Sequence, residues 1–126
     1  MKDKEWNAAK EPVAKLFRKW IKILGLGWYQ IDIEYKAGDA EERGDGYIRA
    51  MEVASRWMYR TATVKVWLEC LPTDQWKLEN MIVHELCHIL VAPMRTPEIN
   101  YDLEEYTVET LARAFVWTEE LTKKKK

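Results

Sequence analysis

The sequence predicts a single α+β domain with one helix, a small sheet of three mostly antiparallel strands, and two further helices. Three observations predict this class. The chain has 126 residues, which is the size of one compact domain. Apolar residues recur every three or four positions near both ends and alternate with polar residues in the middle. Because 48% of the residues are apolar, the chain can bury a core and is not disordered.

The first helix is predicted over residues 6–24, where apolar side chains follow spacings of three and four. Pro12 is expected in its first turn. A pair of glycines beginning with Gly25 should end it, because glycine readily adopts the left-handed conformation. A strand is predicted over residues 28–35, and the acidic, glycine-containing residues 36–46 are expected to form an exposed loop.

Two further extended runs, residues 47–57 and 61–69, supply the other strands, and the second alternates more regularly. A helix should follow over about residues 75–91. Either Thr73 or Asp74 can cap it, since a side-chain oxygen at that position accepts a hydrogen bond from the first turn. The sequence thus predicts that a long helix follows the last strand closely.

The last helix is predicted over about residues 102–122, so that residues 1–122 form the domain and residues 123–126 a disordered lysine tail. The tail holds four of the 20 basic side chains, and the other 16 stand against 21 acidic groups. This mildly acidic body argues against nucleic acid as a partner, because a nucleic-acid-binding face is basic.

The composition also bears on location. No segment approaches the roughly 18 consecutive apolar residues of a membrane span, and the first six residues carry charges where a secretory signal would be apolar. The two cysteines, Cys70 and Cys87, are too few for a disulfide framework and are expected to be reduced. We therefore expect a soluble, cytoplasmic protein without a membrane partner.

Both histidines of the chain lie in one five-residue string, His84-Glu85-Leu86-Cys87-His88. Helical positions four apart differ by about 40° in direction, so the two imidazoles face the same side, one turn apart. Their nitrogens can bind a single ion, for which Zn²⁺ is the first candidate. Glu85 can lie beside the same ion without binding it and can accept a proton from a water molecule bound to the ion. This is the HExxH arrangement of zinc metallopeptidases.

A catalytic zinc also needs a third protein ligand and an open position for water. The chain has no third histidine, so this ligand is a carboxylate or Cys87. Cys87 points away from both histidine directions and is expected to be a small buried apolar residue. An antiparallel helix pair can bring the carboxylates of Glu104, Glu105 and Glu109 across from the ion. On spacing alone, all three glutamates are candidates.

Residues 105–112, Glu-Tyr-Thr-Val-Glu-Thr-Leu-Ala, together with the HExxH string resemble the gluzincin-type metallopeptidases. The pattern is most similar to ExxANxFA of the ImmA/IrrE group, which is common in prophages and mobile elements, and the small minigluzincins compare in length. The resemblance implies a zincin-like fold, one Zn²⁺ and Glu105 as the third ligand. It also implies that Glu109 orients a metal-bound histidine through its outer ring nitrogen. Glu109 lies where the ImmA/IrrE pattern has asparagine. The HELCH string also resembles that of SprT-like proteins, but those proteins use a third histidine, which this chain lacks.

The resemblance implies hydrolysis of peptide bonds in a peptide or protein substrate, with Glu85 as general base and then general acid. It also implies that the substrate adds as an extended strand to residues 61–69, the strand before the active-site helix, which would form the rim of the cleft. Tyr101 and Tyr106 are candidate donors to the developing oxyanion, although a packing role suits both equally well.

The alternative function is a non-enzymatic interaction or regulatory module that keeps the metal site for stability. Such a module would hold its partner with an edge strand or with some of its seven tryptophans. Trp67 and Trp76 are the candidates for an aromatic patch, because they flank the expected cleft.

Overall fold

Three α-helices and three β-strands make up most of the computed structural model, which describes residues 3–38, 50–97 and 101–124. In chain order they are α1 (Asp3–Ile23), β1 (Gln30–Lys36), β2 (Met51–Arg56), β3 (Thr61–Trp67), α2 (Gln75–Val91) and α3 (Tyr101–Lys124). The predicted α+β class is confirmed. Most of the predicted loop at 36–46 lies outside the described residues. Across the described ranges, no helix combines the length and the apolar character that a membrane crossing requires.

The end of α1 follows the sequence prediction. Gly25 has a φ of 72°, and the amide of Leu26 donates to the carbonyl of Ile21 at 2.9 Å, so a left-handed glycine closes the helix. The expected position of Pro12 is wrong, because α1 already begins at Asp3 and Pro12 lies inside it. The preceding residues are rich in Lys, Glu and Ala, which favour the helical conformation and start the helix earlier.

The sheet has the strand order β1-β3-β2, with β3 parallel to β1 and antiparallel to β2. The short turn Trp57–Tyr59 joins β2 to β3 and enforces their antiparallel pairing. The other edge of β3 pairs with β1, which runs in the same direction as β3. The sheet is therefore mixed, and the expected antiparallel arrangement holds for one of its two ladders.

The strand order corrects one expectation about the cleft. Residues 61–69 were expected at its rim, but β3 is the central strand and has a partner on each side. The regular pattern of β3 arises because Ala62, Val64 and Val66 are buried in the core. The alternation of apolar and polar residues shows which face of a strand is buried. It does not show which strands are neighbours in the sheet. Among the residues that the structure describes, β1 and β2 are the edge strands.

The core lies where α1 and α2 cover the sheet. It contains Trp20 and Phe17 of α1, Val64 of β3, and Ile82 and Leu86 of α2, each at most 1% exposed. Burial of α2 on this side leaves a polar stripe of the same helix facing α3.

An ion-pair cluster joins the three helices. Lys19 of α1 lies 3.3 Å from a carboxylate oxygen of Glu79 on α2 and 3.0 Å from one of Glu119 on α3. Lys123 also contacts Glu119, at 3.2 Å, and α3 continues through Lys124. The first two lysines of the expected tail therefore belong to α3, and residues 125–126 lie outside the described chain.

Candidate metal centre

The helix that carries the two histidines begins at a defined cap. The Asp74 side chain accepts a hydrogen bond of 2.9 Å from the backbone amide of Lys77, which fixes the start of α2 at Gln75 as the sequence predicted. His84 and His88 then lie one turn apart, and their ring centroids are separated by 5.0 Å. His88 is buried, and His84 is partly exposed. Both rings face α3.

Helix α3 brings a carboxylate to these rings. Glu105 Oε1 lies 2.8 Å from His88 Nε2, and Glu105 Oε2 lies 3.4 Å from His84 Nε2. One ligand atom from each of the three residues lies within 4.8 Å of the others. The structure therefore brings together the two histidines of the HExxH string and the glutamate that the resemblance selected.

The outer nitrogens of both rings also contact carboxylates. His84 Nδ1 lies 2.8 Å from Glu109, which is the geometry expected of a residue that orients this histidine. His88 Nδ1 lies 2.6 Å from Glu104. Spacing makes Glu104 a possible ligand as well, but in the structure Glu104 contacts Nδ1 of His88, whereas Glu105 contacts Nε2 of the same ring. The sequence carries a signal for this role, because Glu104 directly precedes Glu105. On a helix its side chain therefore points about 100° away from that of Glu105.

Each of these outer carboxylates is held by an arginine that the sequence reasoning missed. Arg95 donates to Glu104 through Nε at 2.7 Å and through Nη2 at 2.8 Å. Arg113 donates to Glu109 at 2.9 Å. Arg113 was recognisable from its position four residues after Glu109 on one helix. Arg95 lies between α2 and α3, and no periodic pattern marks it.

The arginines determine the charge of this outer layer. The two hydrogen bonds from Arg95 lower the pKa of the Glu104 carboxyl to about 2, despite partial burial and with help from His88. Burial opposes ionisation of Glu109, but hydrogen bonds from Arg113 and His84 outweigh it, and its pKa also falls. An ionised carboxylate accepts a hydrogen bond from Nδ1–H, and a neutral ring in that tautomer has its lone pair on Nε2. Both histidines are therefore oriented to offer Nε2 on the Glu105 side.

The donor set fits a zinc ion. Two imidazole nitrogens and one carboxylate oxygen match the three protein ligands of catalytic zinc sites, and the outer carboxylates match the partners that orient such histidines. The remaining candidate, Cys87, is fully buried as predicted, and burial raises the pKa of its thiol to about 12. It does not belong to the group of donors.

The donors line a cavity of about 860 Å³ between β2, α2 and α3. Glu85 lines the same cavity, and so do Trp76 and Tyr101. Tyr106 instead lines a smaller depression beside His84. The edge strand β2 contributes residues 51–53 to the cavity wall, at the position where the sequence reasoning expected β3.

Comparison with family models, with curated proteins and with solved structures finds no match for this chain. The functional assignment therefore depends on the geometry of the site.

Proposed function

We propose that this protein is a zinc-dependent metallopeptidase that holds one Zn²⁺ through His84, His88 and Glu105. The observation that supports this most strongly is the convergence of three donors beside a cavity, with both outer ring nitrogens paired to carboxylates. The two imidazole nitrogens and the carboxylate oxygens of Glu105 face one another, which is the donor set of a catalytic zinc site. The resemblance to gluzincins, in particular the ImmA/IrrE group, agrees with this ligand set.

When bound, Zn²⁺ would supply a water of lowered pKa and polarise a substrate carbonyl. Glu85 follows His84 directly and lines the same cavity, so it is the residue proposed to accept the proton of the attacking water. It would then pass this proton to the leaving amine. Tyr101 also lines this cavity and is the preferred donor to the oxyanion, since Tyr106 lines the neighbouring depression.

We further propose that a peptide or protein substrate binds as an extended strand along β2. This edge strand forms one wall of the cavity, and among the described residues its ladder partner is β3. Backbone hydrogen bonds would provide affinity with little sequence preference. Glu52 and Val53 alternate in direction along this wall and would contact neighbouring substrate side chains.

The proposal is tested by the zinc content of the purified protein and by the hydrolysis of a mixed peptide library. Glu85→Gln should retain zinc and lose hydrolysis by about 10² to 10⁴-fold, which is the usual contribution of a general base. His84→Ala should lose the metal. Glu34→Gln is the matched control, because Glu34 is an exposed carboxylate on β1. A native protein without zinc, or a Glu85→Gln variant as active as the parent, contradicts the proposal.

Zinc removal distinguishes the peptidase from the alternative interaction module. A catalytic ion usually leaves the fold intact when it is removed, whereas a structural ion is part of the folding free energy. We expect the far-ultraviolet circular dichroism of the chelated protein to stay native. Unfolding on chelation, with no hydrolysis by the zinc-loaded protein, would favour the interaction module.

A further inference from the structure

The end of the sheet away from the metal centre carries a second feature, an exposed aromatic surface. Strand β2 runs from Met51 at the cavity to Arg56, and at about 3.3 Å per residue its ends are roughly 17 Å apart. Beyond Arg56 the chain turns back into β3. We call this surface the aromatic tip, and it consists of Trp28, Arg56, Trp57, Met58, Tyr59 and Arg60.

The apolar side chains of the tip are open to solvent. Trp28 is 64% exposed, Trp57 44%, Met58 66% and Tyr59 72%. Aromatic side chains present roughly 150 to 250 Å² each, so these fractions leave several hundred Å² of largely apolar surface. That approaches the largest patch of an ordinary monomer, and patches of this size commonly mark an interaction site.

Contacts of Arg60 join the two chain segments of the tip. Its carbonyl accepts a hydrogen bond of 2.8 Å from the amide of Gln30, and its guanidinium lies 4.4 Å above the centre of the Trp28 ring. Arg60 has a φ of 55°, a left-handed conformation in which glycine or asparagine would be less strained. The chain therefore has an arginine at a position where the backbone favours glycine or asparagine. We interpret this as an indication that the guanidinium group of Arg60 has a function.

The tip is also cationic. Its residues include Arg56 and Arg60 and no acidic residue, in a chain with 21 acidic and 20 basic groups. Within the described ranges, neither arginine of the tip forms an ion pair. The tip thus combines exposed indole and phenol rings, a methionine and two guanidinium groups on two neighbouring chain segments.

We propose that the aromatic tip binds the surface of an anionic phospholipid bilayer. Tryptophan and tyrosine favour the membrane–water interface, where their amphipathic rings lie at the level of the headgroups and their polar atoms remain hydrated. Arginines at the same depth contact lipid phosphates. The expectation of no membrane partner was based on the lack of a spanning segment, and a peripheral contact of this kind needs none.

The charge distribution favours a bilayer over a single-stranded nucleic acid. Nucleic acid binding combines stacking rings with a basic groove that follows the backbone over several nucleotides, whereas the tip carries two arginines on a chain of net charge −1. The proposal does not depend on peptidase activity, because no residue of the tip belongs to the metal centre.

The test is cosedimentation of the full chain with vesicles of phosphatidylcholine containing about one third phosphatidylserine. The parent should bind, and pure phosphatidylcholine vesicles and high salt should weaken binding. The double variant Trp57→Ser, Met58→Ser should reduce the partition coefficient at least about tenfold, since it removes two side chains that would enter the interface. Trp117→Ser on α3 is the matched control, because Trp117 is 66% exposed outside the tip.

Arg60→Asn tests the charge separately, since asparagine tolerates the left-handed conformation, and it should weaken binding about fivefold. The lysines at 123–126 are present in every variant, so any contribution that they make to vesicle binding is the same in the parent and in all variants. Thermal melts verify the fold, and Arg60→Asn decides the outcome if the double variant does not fold. Failure of the parent to bind anionic vesicles, equal loss in Trp117→Ser, or tip-dependent binding of an oligonucleotide instead would overturn the proposal.

Discussion

Glu104→Gln should weaken zinc binding more than Glu109→Gln, although both residues contact an outer ring nitrogen. Loss of such a partner usually lowers metal affinity by 10 to 100-fold. The Glu104 side chain is 12% exposed, contacts His88 at 2.6 Å and receives two hydrogen bonds from Arg95. The Glu109 side chain is 46% exposed and receives one from Arg113. We expect a loss of about 100-fold, or about 2.8 kcal/mol, for Glu104→Gln and about tenfold for Glu109→Gln.

The difference has a physical cause. Glutamine keeps the shape of the side chain but loses the charge, so His88 and Arg95 lose an ionised hydrogen-bond partner at a position that is only 12% exposed. The more exposed pair at Glu109 is screened by water. Zinc affinity is measured by competition with a chromophoric chelator at pH 7, and circular dichroism verifies the fold. Equal losses in the two folded variants, or a Glu104→Gln variant that binds zinc as tightly as the parent, would contradict this prediction.

Three other predictions concern stability and reactivity. Glu119→Gln should lower the unfolding free energy by about 1 kcal/mol at pH 7. Burial opposes ionisation of Glu119, but hydrogen bonds from Lys19 and a second lysine hold its pKa below the ordinary 4.5. The difference in unfolding free energy between the parent and the variant, measured in urea melts, should therefore reach its full size above pH 4.5. It should disappear as the pH falls through the lowered pKa of Glu119. Gly25→Ala should cost about 1 kcal/mol, because Gly25 has a φ of 72°, whereas Gly27→Ala, at a glycine without positive φ, should change the melting temperature little. Cys87, fully buried with a pKa of about 12, should resist a thiol reagent at pH 8 while the native protein labels at its other cysteine.

Local patterns in the sequence were sufficient for most of the secondary structure. The glycine after α1 and the aspartate before α2 mark helix ends because each acts on its own backbone neighbours. Helix spacing placed His84 and His88 on one face. Strand order was not accessible in this way, because alternation identifies the buried face of β3 and says nothing about its neighbours.

The candidate site also combines features that local sequence predicts with features that depend on tertiary packing. Local sequence was enough to place two imidazoles and a neighbouring carboxylate on one helical turn, because the period of a helix fixes directions over four residues. The packing of α3 against α2 was needed to show that Glu105 faces both inner nitrogens while Glu104 faces an outer one, since this depends on how α3 is rotated about its axis. It also brought Arg95 to Glu104 from a segment between the helices. Directions within one helix are fixed by local geometry, and contacts between elements are fixed by how their surfaces pack.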